Sequence, residues 1–179
     1  MHHAQKPAAF ALVLVSLVCL GVAAALAQGG PPPHDATPGA VGVTGPILGS
    51  IDPVVAPGFR LEVSVLDWAP GAYVTRHTHP SAFVVCVQSG AFGFAVHQGA
   101  ATVTRAGDGD APESTEALAL DAEAVLDPGD CVAADQYAGN MIHTAWNAGD
   151  ETVVLWSADL YKIGEPFTTF VDHMGTPIP

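Results

Sequence analysis

From Gly58 onward the chain consists of short runs in which apolar and polar side chains alternate, each cut off by Gly, Pro, Asn or Asp. Phe59, Leu61, Val63 and Val65 alternate with Arg60, Glu62 and Ser64. In an extended strand that pattern places one set on a packed face and the other in water. Pro70-Gly71 predicts a turn into a second strand, Ala72 to His79. Phe83 to Gln88, Ala91 to His97, Ala101 to Arg105, Leu118 to Leu126, Cys131 to Ala134, Ile142 to Asn147 and Thr152 to Tyr161 complete the series. Asp127-Pro128-Gly129-Asp130 has Pro and Gly at the centre of a type II turn. No amphipathic helix of useful length interrupts the strands. So many half-apolar strands bury their faces together only by closing into a sandwich or barrel. The expected class is all-β and antiparallel.

The segments flanking this region set the domain plan. Lys6 precedes an unbroken small and apolar run from Ala8 to Ala27 that ends in Ala25-Leu26-Ala27. This pattern predicts a signal peptide over 1–27, cleaved before Gln28. An uncleaved anchor is the alternative, since about 20 apolar residues also span a bilayer. Val18 before Cys19 is too bulky for lipidation, and no Arg-Arg pair precedes the run. The expected location is exported, periplasmic or extracellular, with no stable membrane insertion after cleavage. Residues 28–57 are expected to be a Gly/Pro-rich linker and lead-in strand. Gln28 to Pro46 in particular is too poor in apolar surface to fold, and His34 within it is assigned no role. The barrel is expected over 58–163 and a tail, carrying His173, over 164–179.

Beyond residue 27 the chain has four basic and eighteen acidic residues, a formal charge of −14. Such a surface repels nucleic acid and anionic lipid and favours cations nearby. The acidic stretch Gly107 to Glu116 lacks calcium-loop spacing and is expected to be a solvated hairpin loop. Cys86 and Cys131 are left as either a disulfide or two buried thiols. His97 shares a face with Gly93 and Ala95, and the pattern leaves open whether that face is inward.

Chemistry concentrates at two places. His77 and His79 are two apart on a strand, so both imidazoles can point at one spot. His143, followed by Asn147, supplies a third imidazole from a distant strand. Three neutral nitrogens on one face of an ion leave its other positions open. Gly71, His77, His79 and Gly90 fall in register with the first motif of the cupin superfamily, and Gly129, His143 and Asn147 with the second. The chain therefore resembles cupins from about Gly58 to Tyr161.

The resemblance implies an antiparallel jelly-roll barrel with one divalent metal ion (Fe, Mn, Zn or similar) on His77, His79 and His143. It also implies that Cys86 and Cys131 sit on neighbouring strands, within bridging reach. Two departures stand out. Phe83 occupies the place of the motif's glutamate ligand, and Asp135 replaces a proline in a stretch three residues longer than the motif. Asp135 to Met141 is thus expected to bulge at the barrel mouth, as a plain surface loop in the first place, with Gln136 or Tyr137 reaching the pocket as the alternative. No carboxylate near the motifs offers a general base. Three functions compete: an enzyme, such as an oxygenase or isomerase, acting on a small anionic or chelating molecule; a non-catalytic binder of metal or small ligand; and a metal-free barrel with a decayed site. A homodimer is left open.

Overall fold

The computed structural model describes residues 29–33, 36–109 and 111–178. Residues 1–27, where a signal peptide is expected, and His34 lie outside the described residues. Twelve strands form one sheet that curls on itself: β1 (Ala40–Thr44), β2 (Ile47–Ile51), β3 (Phe59–Thr78), β4 (Ser81–Ser89), β5 (Phe92–Gln98), β6 (Ala101–Arg105), β7 (Ser114–Leu118), β8 (Glu123–Leu126), β9 (Cys131–Asp135), β10 (Ile142–Asn147), β11 (Val153–Lys162) and β12 (Thr169–Phe170). Among the described residues one helical turn, α1 (Gln136–Gly139), interrupts them. The order is β7-β6-β9-β4-β11-β3-β10-β5-β8, with β1, β2 and β12 added on β3, and every pairing is antiparallel. This is an all-β jelly-roll barrel, as the resemblance to cupins implied.

The strand that builds the site departs from expectation. Pro70-Gly71 does not end a strand: β3 runs through it for 20 residues. Gly71, at φ 75°, supplies a backbone conformation that a residue with a Cβ rarely adopts, so the strand bends without breaking. The first half of β3 pairs with β11, from Phe59↔Lys162 to Trp68↔Val153. Its second half pairs with β10, from Tyr73↔Trp146 to His77↔His143. One strand thus joins both walls of the barrel.

Two further expectations are corrected. Leu118 to Leu126 is not one strand, because a turn with Asp121 at φ 59° divides it between β7 and β8. The stretch Gln28 to Pro46 is not wholly linker, since β1 lies inside it and pairs with β3. Its side chains are mostly exposed, as the composition demanded. Ladder hydrogen bonds hold the backbone, and composition does not report those.

The core lies between the walls, where Trp68, Phe83, Val87, Phe92, Phe94, Val96, Val103, Leu126, Val132, Val153 and Leu155 are buried. A smaller cluster of Ala95, Trp146 and Ala148 covers the other side of β5 and β10. A Cβ at Gly93 would lie 2.0 Å from the Trp146 ring, so only glycine lets that indole lie flat on the strand. The face carrying His97 is therefore the outer one, and His97 Nε2 meets Thr144 Oγ1 at 3.1 Å. Cys86 and Cys131 are direct partners on β4 and β9 and form a disulfide, with Cα atoms 4.0 Å apart. At the Pro128-Gly129 turn, Asp130 is buried and accepts hydrogen bonds from Ala106 N, Asp127 N and Arg105. Burial opposes its ionisation, but these donors outweigh burial and hold its carboxyl below the usual value.

Candidate metal centre

His77 and His143 face each other across the β3–β10 pair, and His79 follows His77 by two residues just beyond the end of β3. Directly opposed residues of an antiparallel pair share a face, as do residues two apart along a strand. The rings therefore converge: their centroids are 4.0 Å apart for His77 and His143, 4.7 Å for His77 and His79, and 5.4 Å for His79 and His143. One ring nitrogen from each lies within 4.8 Å of the others.

The outer nitrogens determine what the inner ones can do. His77 Nδ1 donates to the Thr75 carbonyl at 2.7 Å, and His79 Nδ1 donates to the Phe167 carbonyl at 2.7 Å. Each bond fixes the tautomer that leaves an Nε2 lone pair, the usual backing for a metal-ligating histidine. His143 Nδ1 is buried with no hydrogen-bond partner, so the cluster is one partner short. Burial lowers the pKa of all three: His77 and His143 fall well below the ordinary value, helped by their neighbouring rings, and His79 falls to about 4. Three neutral imidazoles with one nitrogen each on one spot are a fitting donor set for a divalent cation.

Aromatic rings surround them. Phe94 stacks on His143 at 4.8 Å, Phe167 lies 4.8 Å from His79, and Phe83 lies 6.1 Å from His143. Phe83 is buried where the first cupin motif would place a glutamate. The cavity these groups enclose has a volume of about 290 Å³, near the lower end for small-molecule sites, roughly 300–1,000 Å³.

Asp135 to Met141 contains α1, but neither Gln136 nor Tyr137 lines the cavity. Gln136 is buried, and its Oε1 accepts from His79 N at 2.8 Å, so it holds the His-Thr-His corner from behind. Tyr137 packs on Phe59 and bonds to Lys162 at the surface. Asn147 is structural: its Nδ2 donates to the carbonyls of Trp68, Ala69 and Glu151. His173 lies outside the three-histidine cavity: its carbonyl accepts from Arg76, and it lines a depression on the outer face.

The sequence reading missed Asp159. It lies on β11, far from both motifs, yet is 8 % exposed and lines the same cavity together with Ser157 and Glu62. Its signal was polar residues on an inward set: Val153 and Leu155 are followed on that face by Ser157 and Asp159. A larger depression of about 650 Å³ lies over the outer face of β5 and β10, lined by Arg76, His97 and the N-terminal prolines.

No family model matches the chain, and no curated protein matches it. Solved structures do resemble it. A cupin-superfamily sugar phosphate isomerase from Silicibacter pomeroyi has a TM-score of 0.45 and 19% identity over 77% of this chain and 81% of that one. KdgF from Halomonas sp. has 0.43 and 15% over 74% and 94%. Lactobacillus farciminis oxalate decarboxylase, in its formate complex, has 0.40 and 15% over 62% and 26%, so this chain spans about a quarter of that enzyme. At such identities the likeness concerns fold alone. The protein resembles cupin-superfamily structures in its barrel.

Proposed function

We propose that this is an exported protein that holds one divalent metal ion on His77, His79 and His143 and binds a small chelating molecule in the adjoining cavity. The observation that carries this reading is the fixed tautomer of His77 and His79 together with the convergence of one nitrogen from each of the three rings within 4.8 Å. A bound dication would polarise an oxygen of a ligand placed against it. The chain's own groups do the rest. The Thr75 and Phe167 carbonyls aim two rings. Phe83, Phe94 and Phe167 give the ligand an apolar bed that sheds water. Phe83, in place of a carboxylate, leaves one more position for the ligand and leaves the cation's charge uncompensated by protein.

Elemental analysis of protein purified from its own compartment tests the reading. About one equivalent of metal in the wild type and little in His143→Ala is the expected result; equal contents in the two would sink it. An N-terminus near Gln28 on the exported protein tests the location, and retention of Met1 in a membrane fraction would contradict it.

A further inference from the structure

The cavity with the three rings has a second polar region. Phe83 on β4, Asp159 on β11 and Glu62 on β3 are direct partners in a row across the wall, so all three share one face. All three line the cavity. The carboxylate absent at position 83 is thus present one strand away, at position 159. Among the described residues the convergent donor group comprises the three histidines and not Asp159. It shares the cavity with the rings, so a ligand filling that space meets both.

We propose that Asp159, steadied by Ser157, is the proton acceptor for a small ligand that carries a chelating oxygen pair and an acidic O–H or N–H. The inference rests on the metal-binding reading above. Ser157 Oγ donates to Asp159 Oδ2 at 2.6 Å, which orients the carboxylate and leaves Oδ1 to take the proton. In the step, the ligand's O–H bond breaks, its proton passes to Asp159 Oδ1, and the electron pair stays on the ligand oxygen. No oxidant or co-reactant enters.

The surroundings suit this role. β4 presents Phe83 to Asp159, β3 presents Glu62, and on β11 Tyr161 donates to Glu62 Oε2 at 3.3 Å. Arg60, also on β3, is tied to Asp52 at 2.7 Å. Burial and then the Glu62 charge push the Asp159 carboxyl up to about 6, against the Ser157 bond, which lowers it. A base with a pKa near the working pH accepts and returns a proton with little cost.

Acetohydroxamic acid, a neutral chelator that binds metal as its anion, is the probe. Its binding to zinc-loaded protein is followed by stopped-flow mixing between pH 5 and 8, which reads how fast the ligand loses its proton and associates. In wild type the association rate rises as pH passes through about 6, where Asp159 becomes able to accept a proton. In Asp159→Asn the rate at pH 7.5 falls by about 100-fold and that step in the pH profile is lost. Ser157→Ala, which keeps the carboxylate but frees it to turn, slows association less than Asp159→Asn and keeps a step in the profile. Equal rates and pH profiles for wild type and Asp159→Asn, with the hydroxamate still bound, overturn the role of Asp159 alone. Failure of the wild type to take up zinc overturns the metal-site reading, and this inference with it.

Discussion

The two walls of the cavity respond oppositely to one cause. The wall formed by β10 and the second half of β3 carries imidazoles, and burial lowers their pKa. The wall formed by β4, β11 and the first half of β3 carries Asp159, and burial raises its pKa. Desolvation disfavours whichever form is charged, so it empties bases of protons and fills acids with them. The cavity therefore offers neutral lone pairs on one side and a carboxyl near its titration point on the other. A site that had simply lost its glutamate would have only the first.

The comparison can be broken most forcefully at the imidazole wall. His143→Ala should weaken metal binding by about 100-fold or more, since a tripod reduced to two ligands loses a full coordinate bond. Titration with zinc and competing chelators checks it. Reducing the Cys86–Cys131 disulfide, which joins β4 to β9 behind Phe83, should cost about 2–4 kcal/mol in chemical denaturation. That loss should appear in the apo protein too, which separates wall stability from metal binding.

At the carboxyl wall the sign reverses. Asp159 has a folded pKa of about 6, raised from an ordinary 3.8, so its protonated form favours the fold. This contribution is fully present below about pH 3.8 and is lost as pH rises through about 6. Asp159→Asn should therefore be more stable than wild type at pH 7, by on the order of 1–3 kcal/mol, and the advantage should vanish near pH 3. Denaturation midpoints at the two pH values decide it. The smallest expected change is Phe83→Glu, which should raise zinc affinity roughly tenfold by supplying an anionic ligand. It should also raise the Asp159 pKa further, because a like charge would then occupy the neighbouring position on β4. Carboxyl-carbon NMR titration of that variant reads the second effect directly.

The features legible in advance were those with local spacing. His77 and His79 share a face because a strand repeats every two residues, and His143 joined them through the spacing of two motifs. Most strands were likewise visible as alternation. Pro70-Gly71 misled because the same dipeptide serves a turn or a bend, and the choice lies in pairing: β11 and β10 hold the two halves of β3 in one continuous strand. Asp159 carried only the weak signal of a polar residue on an inward set, since its partners Phe83 and Glu62 are distant in sequence and meet it only through register.

What the sequence alone determined is the alternation that makes a β barrel, the acidic surface, and the identity of three imidazoles. Only the tertiary structure decided which carbonyls fix the tautomers of His77 and His79, that the face carrying His97 is the outer one, and that a carboxylate on β11 lines the same cavity as the rings. The reason is physical: a residue's type and period are local properties, whereas its desolvation and its neighbours across a sheet exist only once strands from different parts of the chain have paired.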